Sequence, residues 1–149
     1  MKHSEYKDAM RVKRAVLFGI QARTSRMGMR WKNAPVLIML PNETGVTDFP
    51  GYKDVLQYIV LEGTGDEVKK IRFWWKSGSK FEPHIHPHSD EVLTCEEGSF
   101  TVLFEDPELD QRISKGQTII VPKNTVHAKI CHRNSVVTAE WIPPLTPEP

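Results

Sequence analysis

The chain has 149 residues, 39% hydrophobic and 9% aromatic, and a formal net charge of +1. That length suits one domain with a sizeable core, and the composition is that of an ordinary globular protein, not a fibrous or disordered one. No apolar run approaches the roughly 20 residues of a membrane-spanning helix, and two cysteines far apart in sequence make no disulfide framework.

The charge is lopsided. Residues 1–32 hold nine Lys or Arg against Glu5 and Asp8, net +7, which leaves −6 for the remainder. A transit peptide would be Arg-rich and acid-poor in the same way, but it would also be Ser-rich, and Ser4 and Ser25 are the only serines here. Nucleic-acid arms are usually less apolar than the run Ala15-Val16-Leu17-Phe18-Gly19-Ile20. The segment therefore reads as a solvated basic face, its apolar run laid against the folded body or a twin subunit. No secretory leader is expected, since no apolar stretch follows Met1–Glu5 directly. Reduced Cys95 and Cys131 then suggest a cytoplasmic address.

In chain order, residues 5–14 read as a short helix and 34–40 as a strand broken by Pro41. Residues 42–52, with Pro and Gly breaks, read as a loop. Residues 55–62 are apolar on both faces, as a buried strand is. Gly63-Thr64-Gly65-Asp66 turns the chain into a strand over 67–76. Further strands are expected at 92–95, 99–105, 112–114, 117–121, 126–131 and 135–142. Strands this short, with turn signals between them and no helical period, predict an all-β barrel or sandwich. The organisation expected is an N-terminal extension over 1–50, dimer-forming or barrel-covering, a barrel over 51–142, and a Pro-rich tail over 143–149.

Two spaced patterns carry the chemistry. Residues 78–98 read G-x5-H-x-H-x4-E-x6-G, with Gly78, His84, His86, Glu91 and Gly98 at the fixed positions; residues 116–127 read G-x5-P-x-N-x2-H, with Gly116, Pro122, Asn124 and His127. Side chains alternate along a strand, so His84 and His86 share a face and Ile85 takes the other. Pro83 and Pro87 bracket the pair, and Pro87 cannot donate in a central ladder, so the strand is interrupted or at an edge there. Three imidazoles and one carboxylate converging on one point would make a divalent-metal site with positions left for substrate.

Both patterns closely resemble the two motifs of the cupin family, over about residues 55–142. The second departs twice: Asn124 stands for a glycine and Cys131 for an asparagine. Asn tolerates left-handed backbone, so the turn survives; Cys131 touches only a structural hydrogen bond. The resemblance implies a cupin jelly-roll, a double-sheet antiparallel β-barrel. It maps the metal ligands to His84, His86, Glu91 and His127, holding one divalent transition metal (Fe, Ni, Zn, Mn, Co or Cu).

Parity then turns Leu93 and Cys95 inward beside Glu91, and Lys129 and Cys131 beside His127. Lys129 would bind an anionic substrate or snorkel to the rim. Parity admits only one of Trp74 and Trp75; Trp75, with Lys129 and Trp141, is assigned to substrate binding. His88 reads as a rim residue. The resemblance implies a small-molecule metalloenzyme, a dioxygenase or a redox-neutral isomerase, cyclase or lyase, in which Glu91 stays a ligand or acts as catalytic base. The alternative is a non-catalytic ligand- or metal-sensing cupin. Small cupins are commonly homodimers, and segments 15–20 and 34–40 would serve that interface. No membrane or nucleic-acid partner is expected.

Overall fold

The computed structural model describes residues 26–37 and 45–147. The helix expected at 5–14, the apolar run at 15–20 and part of the strand at 34–40 lie outside them. Among the described residues there are ten strands: β1 (Thr47–Asp48), β2 (Leu56–Glu62), β3 (Val68–Trp75), β4 (Lys80–His84), β5 (Asp90–Glu97), β6 (Ser99–Phe104), β7 (Gln111–Ser114), β8 (Thr118–Val121), β9 (His127–Cys131) and β10 (Ser135–Leu145). They form two antiparallel sheets, one of six strands in the order β1-β2-β3-β10-β5-β8 and one of four in the order β4-β9-β6-β7. The all-β jelly-roll architecture is therefore what the molecule has. Among the described residues no helix is long and apolar enough to cross a membrane.

The core lies between the sheets. In β5 burial alternates without a fault, with Glu91, Leu93 and Cys95 inward and Val92, Thr94 and Glu96 outward. In β9 both faces are covered. His127, Lys129 and Cys131 are buried in the barrel, while Ala128 joins Met29, Trp31 and Leu103 in a second cluster against which Ile130 packs. Residues 26–31 thus cover the outer face of the four-stranded sheet. Their position is fixed by Arg26, whose guanidinium pairs with Asp110, and whose carbonyl accepts from Trp31 Nε1 at 3.0 Å. One of the N-terminal basic residues so meets an acidic residue of the barrel.

Four sequence expectations need correction. Residues 34–37 form no ladder strand: Val36 makes a single parallel bridge to Ile85, with Leu37 N–H donating to the Ile85 carbonyl and Ile85 N–H to that of Pro35. Strand β2 is not buried on both faces. Leu56 and Tyr58 are buried but Gln57 and Leu61 are exposed, because only the short β1 lies outside β2 in the sheet. The loop expected over 42–52 contains β1 and the core residue Phe49, so the barrel begins before residue 51. Finally β10 runs on through Pro143 and Pro144 to Leu145, which pairs with Val68 and is buried. The two prolines are tolerated because the ladder to β5 ends at Ile142 and that to β3 is irregular between Glu140 and Leu145, so no central hydrogen bond is lost.

One motif glycine is sterically compulsory. Gly98 closes the β5–β6 turn at φ +86°, and a Cβ there would stand 2.4 Å from Ser135 Oγ and 2.5 Å from the Asn134 carbonyl oxygen. Gly98→Ala should therefore cost about 3 kcal/mol or more. Denaturant unfolding checks this, and a loss below about 1 kcal/mol would mean that the turn rearranges freely.

Candidate metal centre

Three histidines meet inside the barrel. His84 ends β4, His86 lies two residues beyond it, and His127 opens β9 directly opposite His84 in the register. One ring nitrogen from each lies within 4.8 Å of the others, and all three side chains are buried. Glu91 enters from the opposite sheet, its Oε1 3.1 Å from His127 Nε2 and its Oε2 3.4 Å from His86 Nε2. Donors about 2.1 Å from one ion stand roughly 3.0–3.4 Å apart at octahedral-to-tetrahedral angles, and each of these two separations is of that size, although the donors that all meet within 4.8 Å of one another are those of the three histidines, without Glu91.

Local backbone aims the rings. His84 Nδ1 lies 2.8 Å from the Glu82 carbonyl and His127 Nδ1 3.0 Å from that of Thr125. Donation to those carbonyls leaves each Nε2 as a lone pair facing the centre, the tautomer that metal ligation needs. The turn between β8 and β9 serves two of the histidines at once. Besides offering the Thr125 carbonyl, it places Asn124 at φ 60°, from where its N–H donates to the His86 carbonyl at 2.8 Å. The replacement of a glycine by Asn at 124 is thereby accommodated. Cys131, in the place of an asparagine, donates its thiol to the Arg133 carbonyl at 2.8 Å.

The fit to a cation also shows in what lacks a partner. His84 Nε2, both ring nitrogens of His86 and Glu91 Oε2 are buried without a hydrogen bond. Such groups are costly in an apolar interior, and a divalent ion would satisfy His84 Nε2, one nitrogen of His86 and Glu91 Oε2 together. Neutral imidazoles suit that role. Burial holds the His84 pKa well below its ordinary 6.5, with the nearby His127 and Lys129 acting the same way, and burial likewise lowers that of His127. For Glu91 burial favours the acid, but the Lys129 ammonium 3.2 Å away, with the His127 and His86 rings beside the carboxylate, outweighs it and holds the group ionised.

A pH prediction follows. The unfolded chain takes protons on these imidazoles near pH 6.5 and the folded one only lower, so below 6.5 the unfolded state binds more protons. In EDTA the thermal midpoint should fall as pH is lowered from about 6.5 toward 5. A midpoint that rises on acidification would show that the imidazoles are held charged.

The other expected site residues divide by position. Lys129 does not snorkel to the rim: it is 5% exposed, its Nζ 3.2 Å from Glu91 Oε1 and 5.5 Å from the centre of the Phe81 ring. Trp75 faces the interior, with Trp74 on the outer side, and Trp141 packs 5.6 Å from the His86 ring. Together with Glu91, the side chains of Lys129, Trp75 and Trp141 line one internal cavity. His88 is exposed and borders an outer cleft that His86 also lines.

Parity missed Phe81. Counting back two from His84 would turn Glu82 inward, but Phe81 pairs with Lys129 while His84 pairs with His127, so β4 carries one extra residue there. This bulge puts Phe81 against the His84 ring at 4.9 Å. Pro83, unable to donate in a ladder, was the available signal.

The comparisons agree with this architecture. No curated protein sequence matches the chain. Among solved structures, KdgF from Halomonas sp. is 21% identical with a TM-score of 0.55, over 70% of this chain and 93% of that one. An RmlC-like cupin from Shewanella frigidimarina NCIMB 400 is 19% identical with a TM-score of 0.57, over 74% and 92% respectively. CENP-C of Drosophila melanogaster, solved bound to CAL1, is 16% identical with a TM-score of 0.51, over 59% and 74%. These likenesses concern the fold. The profile described as Cupin matches residues 59–140, more than half of the chain and the stretch that supplies His84, His86, Glu91 and His127, and the protein belongs to the cupin family.

Proposed function

We propose that this protein is a metal-dependent small-molecule enzyme. The observation that carries the reading is the buried convergence of His84, His86 and His127, with His84 Nε2 and both ring nitrogens of His86 lacking a hydrogen bond. A divalent transition metal there would polarise a substrate oxygen or lower the pKa of a bound water. The four ligands would be His84, His86, Glu91 and His127. Glu91 is the only one of them whose charge could leave to take up a proton, and Trp75 and Trp141 form walls that exclude water. The free thiols of Cys95 and Cys131 favour a reducing, cytoplasmic setting.

Elemental analysis of protein purified without added metal, paired with oxygen-electrode traces against candidate substrates, tests the reading and separates its branches. Iron with oxygen uptake places the chain among dioxygenases; zinc or nickel without uptake places it among isomerases, cyclases or lyases. On the substrate so found, Glu91→Gln should lower turnover by about 10²-fold, the scale of losing a positioned base; unchanged turnover would reduce Glu91 to a ligand. A metallated protein that turns nothing over, yet changes a partner's affinity when it binds a ligand, would be a sensor instead.

A homodimer is part of the same proposal. Ile120 and Ile142 are 60% and 54% exposed, on strands that both flank β5, and β8 leaves one sheet edge unpaired among the described strands. Light scattering should give a dimer at micromolar concentration; a monomer unchanged by deleting residues 1–32 would refute it.

A further inference from the structure

The cavity beside the centre has a chemical bias that the four ligands do not explain. Its walls are largely aromatic and aliphatic, among them Phe49, Tyr58, Phe73 and Phe81. Into this apolar lining the chain places an ammonium, that of Lys129, whose ion-pair partner among the described residues is Glu91. It adds Trp75 and Trp141, whose Nε1–H donors are buried without an acceptor. An ammonium and two indoles only donate. The carboxylate that could answer them, Glu91, already accepts from Lys129 on Oε1 and has His127 beside Oε1 and His86 beside Oε2.

Charge points the same way. With a divalent ion on the four ligands, one carboxylate faces a dication and an ammonium, and two formal positive charges stay uncompensated in a buried space. Uncompensated charge in an apolar interior is expensive, so the occupant that stabilises the site is an anion. A sugar or another polyhydroxy compound would lose its hydration against these walls and find few acceptors in return. The free space is narrow, about 20 Å³ for the centre of a water-sized molecule, which restricts the occupant to a few heavy atoms unless the walls move.

We propose that the cavity takes a short monocarboxylate with an apolar body, its carboxylate held by Lys129 beside the four ligands and its body against the aromatic wall. This rests on the metal-site reading above and names the substrate class for it. Lys129 is thus a binding residue for the anion and no metal ligand.

The test uses full-length protein loaded with Co²⁺, titrated with formate and acetate and with the neutral formamide and acetamide. Binding is read from the visible Co²⁺ spectrum and from tryptophan fluorescence. The expected result is one Co²⁺ per chain, saturable binding of both carboxylates, and at least tenfold weaker binding of the amides. Lys129→Met and Lys129→Gln should keep the Co²⁺ stoichiometry and weaken the carboxylates at least tenfold. Carboxylate binding unchanged in either variant would assign the anion to the metal alone and overturn the role of Lys129, leaving the metal reading intact. Equal binding of carboxylates and amides by the unmodified protein would overturn it without recourse to any variant. Absence of stoichiometric Co²⁺ in the unmodified protein would remove the metal reading itself, and this inference with it.

Discussion

His127→Ala should empty the centre of metal. His127 is the hub of the site: its Nε2 meets Glu91 Oε1, its ring centre lies 4.3 Å from that of His84 and 5.6 Å from that of His86, and its Nδ1 is fixed by the Thr125 carbonyl. Losing a supporting outer residue typically costs 10- to 100-fold in metal affinity, and a direct ligand costs more. The variant should therefore bind Zn²⁺ or Co²⁺ at least about 10²-fold more weakly, with metal content after dialysis well below one ion per chain. His88→Ala is the control, because His88 is exposed at the outer cleft, and it should retain full metal. Elemental analysis of the two variants decides the matter. Full occupancy in His127→Ala would mean that the metal sits elsewhere.

The meeting of His84, His86 and His127, with Glu91 beside them, could be read from the sequence because the backbone around them carries local signatures. Gly98 must be glycine for lack of space, Asn124 sits in left-handed backbone, and Glu91 takes an inward slot of a strand whose burial alternates cleanly. Where the sequence misled, a strand's neighbours decided the outcome. Residues 55–62 are apolar enough for a buried strand, yet β2 lies next to a two-residue edge strand and leaves Leu61 at the surface. The β4 bulge shifts which residue beside His84 faces inward, and strict alternation cannot register an inserted residue. Pro143 and Pro144 look like a strand's end but stand where the partner ladder to β5 has already stopped. The depth of Lys129 was open to two readings, since a long side chain can reach a rim from an inward position; the Phe81 ring and Glu91 hold it inside.

That buried lysine makes Glu91→Gln the costliest single change expected in the site. Glutamine keeps the shape and one coordinating oxygen, but it leaves the Lys129 ammonium in an apolar cavity with no anion. Removing one partner of a buried ion pair typically costs about 3–5 kcal/mol, a large part of the 5–15 kcal/mol that holds a domain together. Lys129→Met should cost less, because Glu91 keeps its contacts to His127 and His86 and the aliphatic stem is replaced by another. The double variant Glu91→Gln/Lys129→Met should regain most of what Glu91→Gln loses, since neither charge remains. Urea unfolding of all four proteins in EDTA measures the coupling directly. It should exceed about 1 kcal/mol in favour of the pair. Strict additivity would mean that Lys129 reaches water as soon as Glu91 is neutralised, and the ion pair would then carry no stability. The same series guards the turnover test: Glu91→Gln must be assayed well below its own midpoint, or unfolding will pass for a lost base.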